Sequence, residues 1–305
     1  MPEPTAALSP TEVLLARYCE YLLDARALVA ATARGYVDMV RPFVAARVVD
    51  GELDWLGLTP DHVTGFVLST CRGRCIGSAK LAVTALRSLL GYLHVGGLMP
   101  RSLASVVPSV AGWKLAGLPR SLEPGEVQRL LATCDRRTRT GRRDFAMLML
   151  LVRLGLRAGE VRSLNLEDID WRAGELVVRG KGNRVERLPL PIDVGQAVAA
   201  YLRRGRPVAA RCRTVFVRVR APHRPLSSGG VTNAVMKAAS QAGLGRVNAH
   251  RLRHTVATQM VRSGVSLPEV GQVLRHRRLL TTAIYAKVDR EGLRLLARPW
   301  PGGTT

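Results

Sequence analysis

The sequence predicts a mainly α protein with a small β component: an all-helical first part and an α+β second part. Three observations carry this. Helix-start signals and apolar residues at three- and four-residue spacing recur through the first hundred residues, with no convincing strand. The clearest strand pair flanks Gly180-Lys181-Gly182-Asn183, well into the second part. Between the parts lies a stretch with Pro108, Gly112, Gly117 and Pro119, the composition of a linker. At about 100–200 residues per domain, 305 residues fit two domains, divided as 1–107, a linker at 108–119, and 120–305.

The elements follow in order. Ser9-Pro10-Thr11-Glu12 has the spacing of a capping box with proline at the first helical position, so a helix opens there and runs to about Val29. A second covers residues 36–48, and Thr59-Pro60 starts a third that reaches about Leu68. Leu86, Leu89, Leu90 and Leu93 form an apolar stripe that Gly96-Gly97 ends. In the second part, residues 124–134 and 143–154 read as helices, the latter stopping at Gly155. Residues 174–179 and 185–191 read as hairpin strands, residues 193–204 as a helix and 214–219 as a strand. Three or four helices complete the chain, one beginning at Ser266 and Pro268 and the last capped by Thr281.

Lys+Arg is 46 against Asp+Glu 23, a net charge of +23, which implies a polyanionic partner. Residues 1–105 carry a net of +1 and residues 106–305 a net of +22, so the polyanion meets mainly the second part. A membrane is the weaker candidate, because the longest strongly apolar run, residues 145–152, is too short to span a bilayer. The first ten residues have acid and proline where a signal peptide needs basic and then apolar residues. Five cysteines, odd in number and mostly far apart, argue against a disulfide scaffold and for a reducing cytoplasm. Only five of the basic residues are lysine, and Arg-rich codon usage accounts for most of that bias. Where a lysine survives, a group able to give up its proton has a use that arginine cannot fill.

Several stretches suit phosphodiester chemistry. Arg157 sits where one helix stops and another starts, where a guanidinium can clamp two phosphate oxygens. Taken alone it reads as one surface arginine among 41. Lys181 occupies the tip of the hairpin, which in isolation is equally well an ordinary polar turn. In Asn248-Ala249-His250-Arg251-Leu252-Arg253-His254, a helix puts His250 and Arg253 on one face and turns Leu252 inward. His250 and His254 also have the i, i+4 spacing of a zinc pair, but no third ligand or metalloprotease glutamate accompanies them, so no metal is expected. Cys71 and Cys75 read as a buried or incidental pair for the same reason. Tyr285 alone would read as core or interface.

Together these pieces resemble the tyrosine recombinase (phage integrase) family. Residues 156–191 are similar to its first arginine box and lysine hairpin, residues 250–254 to its H-x-L-R-H box, and residues 274–285 to its L-G-H…TT-x-x-Y ending. The intervals are 24 residues from Arg157 to Lys181, 3 from His250 to Arg253, 23 to His276 and 9 to Tyr285. One departure is visible: Arg275 stands where the family usually has glycine. The expectation is that the backbone there is helical and that activity survives.

The resemblance implies a helical core-binding domain and a catalytic domain that close around double-stranded DNA, with four protomers acting on inverted-repeat sites. It implies cleavage without metal or other cofactor, with Tyr285 as nucleophile and Arg157 and Arg253 clamping the phosphate. Lys181 would protonate the leaving oxygen, His250 would assist proton transfer at the tyrosine, and His276 would hydrogen-bond a phosphate oxygen. Glu160, one turn after Arg157, would orient an arginine or the helix end, or serve structure alone. The segment after Tyr285, with Leu295, Leu296 and Trp300, would dock on a neighbouring protomer. A type IB topoisomerase and a non-catalytic DNA-binding protein on the same fold are the rivals.

Overall fold

A computed structural model describes residues 9–111, 121–180, 184–275 and 282–288. Contacts divide the chain into two compact units, residues 1–116 and 117–305.

Among its described residues the first unit holds four helices: α1 (Pro10–Asp24), α2 (Ala30–Ala45), α3 (Pro60–Cys71) and α4 (Ile76–Val95). Ser9 caps α1, its hydroxyl accepting from the Glu12 N–H at 3.3 Å. The stripe Leu86, Leu89, Leu90 and Leu93 is fully buried on α4, where it meets Tyr18 and Leu22 of α1. The expected helix to Val29 is too long. Ala27 adopts a left-handed backbone (φ 47°) and the Leu28 N–H folds back to the Leu22 carbonyl, so the chain leaves the helix before α2 begins. The unit also contains a two-residue ladder, β1 (Val48–Val49) with β2 (Glu52–Leu53). Asp50 and Gly51 both have positive φ, the Asp-Gly turn that matches strand twist, so the expectation of no strand misses this short hairpin.

The second unit contains α5 (Pro124–Ala132), α6 (Arg139–Leu154), α7 (Ala158–Ser163), β3 (Ile169–Asp170), β4 (Glu175–Arg179), β5 (Val185–Pro189), α8 (Ile192–Arg204), α9 (Ser228–Gln241), α10 (Ala249–Arg262) and α11 (Leu267–Val273), with a 3-10 turn at Ala283–Val288. Helix α6 is the spine: Ala146 through Leu151 are all buried, and the helix packs against α8, α9 and α10. The strands form one antiparallel sheet in the order β3-β4-β5, with Arg179 opposite Val185 at the base of the hairpin tip. Leu176 and Val178 of β4 turn into the core, as a one-sided sheet requires.

Residues 214–219 do not form a strand. Asn165 bridges Thr214, Val217 bridges Pro225, and the Val215 N–H donates to the Leu164 carbonyl at 2.8 Å. The run is apolar because Val215, Phe216 and Val217 are core residues, not because a ladder flanks them. The linker expected at residues 108–119 lies largely outside the described residues, as do the Thr281 cap and the chain beyond residue 288. No helix among the described residues is long and apolar enough to cross a membrane. Cys19, Cys71, Cys134 and Cys212 are free thiols.

Candidate active site

Gly155 starts the site. It ends α6 in a left-handed conformation (φ 58°), and a side chain there would meet Leu274 at 2.8 Å, so the position suits glycine twice over. The turn delivers Arg157 to the N-cap of α7, the expected junction of two helices. Glu160 completes that cap. One carboxylate oxygen accepts the Arg157 backbone N–H at 2.9 Å and the other accepts Arg157 Nη1 at 2.6 Å, so Glu160 holds both the helix end and the arginine. Burial pushes the Glu160 carboxyl up, but the Arg157 N–H, Arg275 and the Arg157 guanidinium outweigh it and hold the group below the ordinary carboxylate range.

Helix α10 contributes the histidine and the second arginine, its start fixed by the Asn248 side chain accepting from the Arg251 N–H. Leu252 points into the core, as its position predicts. Arg253 is 2% exposed and donates from Nη1 to the Gly155 carbonyl at 2.6 Å. Its Nη2 is buried without a hydrogen-bond partner among the described residues. Burial, then Arg157 and Arg275, works against its positive charge. Arg157 and Arg253, separated by almost a hundred residues, thus act on one another electrostatically.

Tyr285 is brought onto the same face of α10 and is 1% exposed. Its hydroxyl lies 2.7 Å from His254 Nδ1. Burial pushes the phenol up to about 12, with Arg253 countering in part. His254 is pulled down to about 4 by burial, His250 and Arg253, so its ring is neutral near pH 7 and its Nδ1 shares a hydrogen bond with the phenol. His250 packs edge-on against His254 with ring centroids 4.3 Å apart, and burial with Arg253 and Arg157 lowers it too. The ring seen on the phenol is therefore His254, which the sequence reading gave no role. Its signal was present: it lies one helical turn after His250, on the same face. Among the described residues no group of three or more His, Cys, Asp and Glu has the arrangement to hold a metal ion.

The segment after α11 differs from expectation. Arg275 is not helical; its φ is +56°. Glycine occupies that region without penalty, whereas a side chain there costs about 1–2 kcal/mol. Arg275 offsets this with a buried ion pair to Glu160 at 2.9 Å and a looser one to Glu186 at 3.7 Å. Its carbonyl accepts from Arg157 Nη2 at 3.2 Å. Of the six residues singled out from the sequence, Arg157, His250, Arg253 and Tyr285 are brought together. Lys181 and His276 lie outside the described residues, although Arg179, paired with the buried Asp168, anchors the base of the Lys181 hairpin.

The same span is matched by the model of the phage integrase family, over residues 120–291. A putative integrase/recombinase of Sinorhizobium fredii, y4rA, is 45% identical over 297 residues, covering 96% of this chain and 72% of the relative. Tyrosine recombinase XerC of Histophilus somni is 32% identical over 286 residues, covering 92% and 94%. The fold is that of a XerH site-specific recombinase solved on a palindromic difH substrate, with a TM-score of 0.71 and 18% identity across 97% of this chain and 98% of that one. A family match spanning the segments that supply Arg157, Arg253 and Tyr285, joined to near-full-length relatives, means that the chain belongs to the phage integrase family of tyrosine recombinases.

Proposed function

We propose that the protein is a site-specific DNA recombinase that cleaves and rejoins strands through a 3′-phosphotyrosyl intermediate. The observation that carries this reading is the convergence of Tyr285, a histidine pair and two arginines whose charges oppose one another. Arg157 and Arg253 hold the two non-bridging oxygens and gain most as charge builds on the pentacoordinate phosphorus. The Tyr285 oxygen attacks phosphorus, forming the P–O bond to tyrosine as the bond to the 5′-oxygen breaks. The phenol proton leaves toward the His254–His250 pair, and Lys181 gives its proton to the departing 5′-oxygen. His276 hydrogen-bonds a phosphate oxygen. The phosphotyrosine keeps the energy of the broken linkage, so rejoining to another 5′-hydroxyl needs neither ATP nor a metal.

The substrate is double-stranded DNA carrying inverted repeats, on which four protomers assemble in the cytoplasm. Residues 1–107 form the core-binding domain and residues 120–305 the catalytic domain. Support for a DNA partner comes from the charge of the second part and from solved relatives described as DNA-bound, including a lambda integrase tetramer on a Holliday junction.

A nicked suicide duplex tests the reading on a denaturing gel in EDTA. The expected result is a covalent protein–DNA adduct, lost in Tyr285→Phe with DNA binding retained. Adduct formation by that variant, or a strict need for magnesium, overturns it. Tyr201 is a poor substitute nucleophile, because its hydroxyl accepts from the Val217 N–H and the cations acting on it are Arg143 and Arg206, outside the Arg157–Arg253 pair. Joints between two duplexes then separate recombination from the relaxation of a type IB topoisomerase, and an absent adduct favours a DNA-binding role alone.

A further inference from the structure

A closed ring of polar contacts runs through Arg275. Its guanidinium, about 6% exposed, donates from Nη2 to Glu160 Oε2 at 2.9 Å. The other Glu160 oxygen accepts Arg157 Nη1 at 2.6 Å, and Arg157 Nη2 donates to the Arg275 carbonyl at 3.2 Å. Arg157 is therefore held at two nitrogens, by Glu160 and by the Arg275 backbone, and Glu160 is held in turn by the Arg275 side chain. The backbone contact needs only the left-handed turn, which glycine provides more easily. The ion pair to Glu160 needs the arginine.

We propose that Arg275 is a positioning residue for the phosphate clamp: it keeps the Glu160 carboxylate ionised and in place, and so fixes the Arg157 guanidinium toward the scissile phosphate. This rests on the reading of the site as a DNA-cleaving centre. Among the described residues the charged groups facing Glu160 are Arg157 at the start of α7, Arg275 after α11 and, at longer range, Arg253 of α10. Glu186 of β5 shares the Arg275 guanidinium from its other side. Removing the Arg275 side chain leaves burial acting on Glu160 with one direct cation fewer. Its carboxyl then takes up a proton at higher pH, and a protonated Glu160 grips Arg157 less well.

The test compares wild type, Arg275→Gly and Arg275→Lys. Single-turnover cleavage of the nicked suicide duplex is followed at saturating protein, from about pH 5 to 9. In parallel, the side-chain carboxyl carbon of Glu160 is titrated by NMR in the DNA-free protein. The glycine variant is expected to cleave at least about tenfold more slowly, a loss of about 1.4 kcal/mol of transition-state stabilisation. Its DNA affinity stays within about twofold, since phosphate contacts elsewhere dominate binding. The acid limb of its rate profile and the Glu160 titration both move to higher pH, and the lysine variant recovers part of each. Wild-type rate and acid limb in the glycine variant overturn the proposal. So does an equal loss in both variants with an unmoved limb, which is a structural effect only. If wild type itself forms no adduct, the functional reading fails, and an unmoved Glu160 titration in the glycine variant would separately refute the coupling. Should the glycine variant lose its fold, Arg275→Asn supplies the comparison, because asparagine tolerates the left-handed backbone.

Discussion

Tyr285 should resist ionisation in the DNA-free protein. Its side chain is 1% exposed, hydrogen-bonded to the neutral His254 ring, and shifted by burial from the ordinary 10 to about 12. Two pKa units correspond to about 3 kcal/mol against the phenolate. At pH 8 about one phenol in ten thousand is then ionised, against about one in a hundred for an exposed tyrosine. The assay is a pH titration of tyrosine labelled at the ring carbon bearing oxygen, with Tyr285 assigned as the resonance missing from Tyr285→Phe. At pH 10, where an exposed tyrosine is half ionised, the Tyr285 signal should have moved by only about 1% of its full shift. Stability follows with a definite sign. Folding raises this pKa, so the contribution is complete below pH 10 and is lost as pH rises through 10 toward 12. The stability difference between wild type and Tyr285→Phe should therefore fall by about 3 kcal/mol across that window. A Tyr285 midpoint at or below 10 would refute the reasoning, since it would mean that the hydroxyl is solvated or that Arg253 stabilises the phenolate outright.

Two further outcomes are expected. Arg253→Met should cut adduct formation by at least about a hundredfold, in line with removal of a transition-state donor. Unfolding free energy should change by less than about 2 kcal/mol, because burial already works against this charge; chemical denaturation checks it, and a loss of about 3–5 kcal/mol would mark a structural pair instead. Lys181→Ala should cleave ordinary DNA slowly and recover on a 5′-bridging phosphorothiolate, whose thiolate leaves without a proton. No recovery would mean that the lysine only binds phosphate.

Local chemistry was legible wherever it determined local structure. The Ser9 cap, the Gly155 stop, the Ser266 start and the hairpin strands are short-range consequences of their own residues, and the structure bears each out. The inward turn of Leu252 followed from helical spacing alone. The helix expected to reach Val29 stops at Asp24, the one expected at 36–48 spans Ala30–Ala45, and two further misses concern strands. The Asp50-Gly51 hairpin carries strands of two residues, too short for any alternation to register. The run at residues 214–219 is apolar enough for a strand, but a ladder needs a partner that no local pattern announces. The polar contacts that build the site were the least legible. Tyr285 meets His254 across 31 positions, and Arg275 meets Glu160 across 115. Arginine itself does not favour a left-handed backbone, and the pointer to one at Arg275 was the glycine that the family usually has at that position.

The electrostatics of the resting site follow one logic. Glu160 pairs with both Arg157 and Arg275, so each of these guanidiniums meets a carboxylate before any ligand arrives, although Arg275 Nε is itself buried without a hydrogen-bond partner among the described residues. Arg253 has no carboxylate partner among the described residues. It gives one hydrogen bond to the Gly155 carbonyl, carries a buried N–H group with no partner among the described residues, and feels two neighbouring guanidiniums. A buried polar group left unpaired costs about 1–3 kcal/mol, and under the proposed reading a phosphate oxygen is the partner that would remove the cost. The same negative charge would act on His254, which burial, His250 and Arg253 now keep neutral, and raise its affinity for a proton. Under the proposed reading, arrival of the scissile phosphate would therefore satisfy the clamp and improve the proton acceptor beside Tyr285 together. The nucleophile would stay dormant without DNA because the cation nearest to it is itself incomplete until DNA binds.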